Sequence, residues 1–152
     1  MDAELNDESP EYAGFWRRAA AYVMDTALLV FCMVQMQSYF WNSMAGSSAQ
    51  LGQDTMLQLV SIATSAWSIV IGWGYFAGME CSPLQATLGK LAVGLYVTDL
   101  DRNRLSIGRA TGRYLGKIVS GIILGIGFFM AGWNENKQGL HDMIAGTLIW
   151  TK

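Results

Sequence analysis

Arg18, Tyr22 and Asp25 stand at i, i+4 and i+7 around an apolar run, Ala19 to Met36. A helix through that run carries all three on one face, with Arg18 and Asp25 about 10 Å apart along the axis. An ionisable side chain at membrane depth costs roughly 2.5–3.5 kcal/mol on insertion scales, and such groups pair or line a polar path. A second stripe, Arg109, Arg113 and Lys117, recurs every four residues beside Gly108, Gly112, Gly116 and Ser120, which gives close packing and positive charge on neighbouring faces of one helix. A buried carboxylate without a cation tends to protonate, so Asp25 is expected to face Arg113 or Lys117. The five residues Arg18, Tyr22, Asp25, Arg113 and Lys117 are the candidate ion, proton or charge-pair site. Its chemistry would be exchange of a proton or cation at the carboxylate against its basic partner; a plain folding bridge is the competing reading. Asp99, His141 and Asp142 are secondary candidates. A histidine beside a carboxylate could relay protons near neutral pH, although a polar junction capping a short helix is the commoner arrangement. Glu80 reads as interfacial, and Asp99 and Asp101 as turn-shaping residues.

These residues need a membrane scaffold. The chain has 152 residues, 52% of them hydrophobic and 14% charged, which is too apolar for a typical soluble domain. Three stretches approach the roughly 20 residues that cross a bilayer: Phe15 to Phe40, Met56 to Ala77 and Tyr114 to Trp133. Trp16 and the Tyr39-Phe40-Trp41 run bracket the first, and Trp73, Tyr75 and Phe76 close the second, as interfacial belts do. Trp67 is expected to be a packed ring, and Thr64, Ser68 and Gly72 a close-packing stripe. Residues 1–12 carry Asp2, Glu4, Asp7, Glu8 and Glu11 and read as an acidic, disordered tail rather than a cleaved signal peptide; residues 13–152 form the membrane domain. Arg17, Arg18 and the basic 78–113 connection place the N-terminus in the cytoplasm, in the cell's inner membrane, and Arg17, Arg102, Arg104 and Arg109 are the candidate contacts to lipid or a partner. Cys32 and Cys81 read as free thiols. No metal set, cofactor motif or nucleic-acid signature is present, and without GxSxG, Walker or HExxH patterns an enzyme is not expected.

Between the second and third stretches, Leu95 to Asp99 and Arg104 to Ile107 alternate around a turn-rich centre and predict a cytoplasmic β-hairpin, which the C-terminal strand Thr147 to Thr151 can join. That joining requires a cytoplasmic C-terminus, whereas three full crossings would put it outside. Gly116, Gly121, Gly125, Gly127 and Gly132 make the third segment breakable, which favours a re-entrant or broken hairpin over a span. The fold class is an all-α membrane protein with two transmembrane helices, a third Gly-rich membrane segment and this small β-element.

Several blocks together resemble the RDD family of small membrane proteins, named for an arginine and two aspartates. They are Ala13-Gly14-Phe15-Trp16-Arg17-Arg18 with Ala21-Tyr22-Val23-Met24-Asp25, Thr87-Leu88-Gly89-Lys90 leading to Gly94-Leu95-Tyr96-Val97-Thr98-Asp99, Arg113, and Lys137-Gln138-Gly139-Leu140-His141-Asp142 with Ala145-Gly146-Thr147. By position the family arginine falls on Arg18, one aspartate on Asp25, and the other on Asp99 or Asp142. The resemblance implies solute movement, with cation/proton antiport suggested for some members. The expected function is a membrane transporter, a cation/proton antiporter built on Asp25, with a monovalent cation or proton as solute and a homo-oligomer enclosing the path. The alternative is a non-transporting scaffold or accessory subunit whose basic loop binds anionic lipid or a protein.

Overall fold

The computed structural model describes residues 11–44, 52–122 and 126–152, except for the side chains of Met44, Gln53, Asp54 and Met56. The acidic run from Asp2 to Glu8, most of the loop between the first two helices, and Gly125 lie outside the described residues. Two long helices dominate: α1, Phe15–Met44, and α2, Gln53–Glu80, of 30 and 28 residues. At about 1.5 Å per residue both exceed a roughly 30 Å hydrocarbon layer, and both are apolar enough to cross it. This is an integral membrane protein. Most of the large apolar side chains on both helices are uncovered, and Trp67 is 63% exposed, so it is a lipid-facing ring rather than a packed one.

The buried part of the molecule gathers at one end of the two spans. There α2 stops at Glu80, and Ser82-Pro83 turn the chain towards the short helix α3, Leu88–Ala92, and the strand β1, Leu95–Asp99. Helix α4, Ile107–Ile122, leads to α5, Ile126–Phe129, a 3-10 turn at Met130–Gly132, the helix α6, Leu140–Ala145, and the strand β2, Thr147–Thr151. Gly146 ends α6 at φ +58°, a left-handed cap that glycine adopts without strain.

β1 and β2 pair antiparallel, Leu95 opposite Thr151 and Asp99 opposite Thr147, so the C-terminal strand does join the cap. The expected partner strand at Arg104 to Ile107 does not form. Asp99 Oδ1 accepts from the backbone N–H groups of Asp101 (3.0 Å) and Asn103 (2.7 Å), Arg102 turns at φ +62°, and Ser106 Oγ accepts from Arg109 N–H at the start of α4. Local turn and cap chemistry therefore diverts the chain from the sheet. The free edge of β2 is met instead by the approach to α1: Ala13 N–H donates to Ile149 O and Thr151 N–H to Glu11 O, both at 2.9 Å. Leu95, Val97, Ile149, Leu105, Ala13, Ala21, Ala77 and Ala110 form the apolar core beneath.

The third segment turns back. The axis of α4 and that of the helical stretch Ile126–Gly132 differ by 116°, as in a broken span or a re-entrant loop, and the chain that follows packs against α4. A Cβ on Gly127 would meet Ser120, one on Gly116 would meet the His141 backbone at 3.0 Å, and Arg113 reaches Thr147. These glycines are what allow so close an approach. Gly116 and Ser120, expected in a close-packing stripe, thus pack within the chain, while Gly108 and Gly112 stay open.

In a chain lacking Cys32 and Cys81, Arg102→Cys and Lys152→Cys should react with an impermeant maleimide from the same side of sealed vesicles. Labelling from opposite faces would show that the third segment crosses the bilayer.

Candidate functional site

Asp25 is 1% exposed and points inward from α1, where it accepts three hydrogen bonds. Tyr75 Oη donates to Oδ1 at 2.6 Å, Gly89 N–H to Oδ1 at 2.7 Å, and Thr87 Oγ1 to Oδ2 at 2.5 Å. Tyr75 Oη accepts in turn from Leu88 N–H at 3.1 Å. All the donors to Asp25 are neutral. Position 89 must be glycine, because a Cβ there would overlap Ala21 O and sit 2.9 Å from the Asp25 carboxylate. The expected Asp25–Arg113 or Asp25–Lys117 pair does not form, because both cations are taken by other acids.

Those acids are Glu80 and Asp142. Glu80 Oε1 meets Lys90 Nζ at 2.6 Å and Lys117 Nζ at 3.2 Å, while Oε2 meets Arg113 Nε at 3.2 Å. Glu80 is therefore a buried hub for three cations, not an interfacial residue. Arg113, 1% exposed, extends Nη2 to Asp142 Oδ1 at 3.0 Å and donates from Nη1 to Thr147 Oγ1 at 3.0 Å. Asp142 Oδ2 accepts from Arg18 Nη1 at 2.6 Å and from Gly139 N–H at 3.1 Å, the latter capping α6. Arg18 also donates from Nε to Ala13 O at 2.9 Å. One connected network thus ties α1, α2, α3, α4 and α6 together. Breaking a pair in such a network strands a buried charge, which costs roughly 3–5 kcal/mol.

His141 Nε2 lies 3.2 Å from Asp142 Oδ1, and its ring is 5.1 Å from Phe128. Burial pushes the imidazole down to about 3, with Asp142 pulling the other way and the Arg113 and Lys117 charges adding to the fall, so His141 is neutral at physiological pH. Burial acts to raise the Asp142 carboxyl, but the Arg113 and Arg18 charges overcome it and hold the group below its ordinary range.

A cavity of about 260 Å³ lies against this network, and Arg18, Tyr22, Asp25, Arg113 and Lys117 all line it, with Lys90 and His141. The candidate site residues are therefore brought together, though not as partners. Tyr22 contributes ring contacts to Phe76 and Phe128 rather than a bond to Asp25. Lys117 Nζ lies 4.2 Å from the centre of the Phe76 ring. Asp99 is elsewhere, paired with Arg109 at 3.0 Å in the turn after β1. Arg102 stacks over Trp150 and Arg104 donates to Cys81 O, so these basic residues are engaged within the cap, whereas Arg17 is exposed at the start of α1. Among the described residues no cluster of three or more His, Cys, Asp or Glu could hold a metal ion.

The sequence reading missed Glu80, Lys90, Thr87, Tyr75 and Gly89 as site residues. A charge count could have raised Glu80, since Arg18, Lys90, Arg113 and Lys117 all need buried acceptors and Asp25 alone cannot supply them.

The model of the RDD family covers residues 12–146, from the strand-like approach to α1 through the α6 cap. The chain belongs to the RDD family. Two Bacillus subtilis (strain 168) proteins are similar along nearly their whole lengths. "Uncharacterized protein YxaI" is 32% identical over 145 residues, covering 90% of this chain and 95% of the relative. "Uncharacterized membrane protein YteJ" is 26% identical over 155 residues, covering 98% of this chain and 85% of that protein. No solved structure matches. Within this RDD chain it is Asp142, not Asp99, that joins Arg18 in the buried cluster.

Both acid-sensitive groups give the same sign. An unfolded histidine titrates near 6.5, so between that value and about 3 the unfolded state binds more protons and stability falls as pH drops; Asp142 extends the loss below its ordinary 3.8. The apparent Tm in micelles should therefore decline from pH 7 to pH 4, and His141→Gln should flatten that decline. A wild-type Tm constant across this range would contradict a neutral, buried His141.

Proposed function

We propose that this RDD protein is a transport protein of the cell's inner membrane. Its N-terminus and polar cap face the cytoplasm, and Asp25 is the group whose protonation is coupled to solute movement. The supporting observation is the setting of Asp25: buried on the cavity wall and held by hydroxyl and amide donors rather than by a cation. Such a carboxylate can gain or lose a proton without leaving an opposite charge stranded, unlike Glu80 or Asp142, whose protonation would orphan two or three cations. Cation/proton antiport is the finer reading. It draws on Arg18, Lys90, Arg113 and Lys117 lining the same cavity as Asp25, where a basic side chain can compensate the carboxylate's charge when the proton or cation leaves. Most of α1 and α2 is uncovered, so lipid and further copies of the chain complete the surroundings of the path, and a homo-oligomer is part of the proposal. The scaffold reading draws on Arg102, Arg104 and Arg109, which are exposed although each makes one contact to the cap.

Proteoliposomes of the full chain carrying a pH gradient and a trapped pH-sensitive dye test the antiport reading. Addition of sodium, lithium or potassium should dissipate the gradient, and Asp25→Asn, checked to be folded by circular dichroism and monodisperse elution, should bring the rate to that of empty liposomes. Failure of all three ions, or full flux through Asp25→Asn, would overturn it.

A further inference from the structure

The cavity beside the charged network has one polar wall and an otherwise apolar lining. Phe15, Tyr22, Val23, Phe76 and Phe128 make up much of the apolar part. Val23 is 65% and Tyr22 43% exposed, about two turns into a membrane-spanning helix, so this side opens onto hydrocarbon rather than water. On the polar wall, the Glu80–Lys90 pair balances itself. What remains is Arg18, Arg113 and Lys117 against Asp142 and Asp25, an excess of one positive charge with Asp25 already satisfied by neutral donors. Two guanidinium nitrogens on this wall lack a hydrogen-bond acceptor among the described residues: Arg113 Nε, although it lies 3.2 Å from Glu80 Oε2, and Nη2 of Arg18, whose side chain is only 10% exposed. Buried guanidinium charge of this kind is costly, and an anion in the cavity that Arg18 and Lys117 line would offset it.

We infer that this cavity binds a single-chain anionic amphiphile, a carboxylate or a phosphate monoester, with its acid head against Arg18 and Lys117 and its chain among Tyr22, Val23, Phe76 and Phe128. At about 260 Å³ the cavity lies just below the range that takes a drug-sized ligand, which suits a head and the first part of a chain whose remainder lies in the bilayer. Electrostatics gives the sign of the head, and the hydrocarbon-facing mouth requires the tail. A free anion would have to leave water and cross lipid to enter from that side. The site is measured as binding, without flux, so this inference and the antiport reading fail independently.

The full chain in phosphatidylcholine nanodiscs, titrated with tritiated dodecanoate against empty nanodiscs, provides the test. Saturable binding is expected, with dodecyl phosphate competing and dodecanol, dodecyltrimethylammonium, acetate and inorganic phosphate ineffective at equal concentration. Arg18→Gln should lower affinity by about tenfold or more, the loss of a charge-assisted contact. Because Arg18 also holds Asp142, the second variant is Val23→Trp, which fills the mouth from an exposed position and should cut affinity to a similar degree with unchanged apparent Tm. Absence of saturable binding, equal competition by dodecanol or by the tail-free anions, or wild-type affinity in Val23→Trp would each overturn the inference.

Discussion

A guanidinium buried as completely as that of Arg113 must be met by charge, and it is met from two directions, by Glu80 at the end of α2 and Asp142 at the start of α6. Much of the cap follows from this requirement. Arg113 sits on α4 inside the membrane-facing segment, so its two carboxylates have to be carried to it. Glu80 arrives because α2 ends there. Asp142 arrives because α4 and α5 double back, and the small residues at 116, 120 and 127 permit the return to run close alongside. Arg18 then ties the far end of the chain to the same carboxylate, and the pairing of β1 with β2 places the C-terminus beside the first turn of α1. These groups are buried within the protein, so each charge depends on its neighbours for compensation.

The network and the cavity divide the work. Glu80, Asp142 and Arg113 are bound to several partners each, and altering the charge of any one unbalances the rest, which suits a fixed frame. Asp25 is different in kind. It is buried as deeply, but its acceptor oxygens are met by Tyr75, Thr87 and the Gly89 amide rather than by an ion pair. It also holds α3 to α1, which explains why α3, only five residues long, has a defined place. A change in Asp25 protonation would act on that junction and on the cavity wall together.

Much of this was legible in the sequence. The two spans follow from apolar length and aromatic ends, the strand character of 95–99 and 147–151 from alternation, and the breakable third segment from its glycines. The inward placement of Asp25 and its need for partners follow from the cost of a carboxylate in hydrocarbon. The identity of those partners did not, because pairing across 50 to 124 residues is set by how elements dock, and no local periodicity encodes it. Reasoning from charge alone assigned Asp25 a lysine or arginine; three neutral donors on α2 and α3 satisfy it instead. Residues 104–107 alternate like a strand, yet the Asp99 turn and the Ser106 cap, both local and both strong, take the chain into α4 first. Glu80 looked peripheral because it ends an apolar helix, and only the assembled cap shows that this end is its centre.

The central claim is that the first and last helices are joined energetically by a buried ion pair 124 residues apart in sequence, Arg18 with Asp142. A double-mutant cycle of Arg18→Gln, Asp142→Asn and the combined variant, followed by equilibrium unfolding in mixed micelles, measures that coupling directly. The account predicts an interaction of at least about 1 kcal/mol, with the double variant less destabilised than the sum of the singles; additivity within about 0.3–0.5 kcal/mol would contradict it.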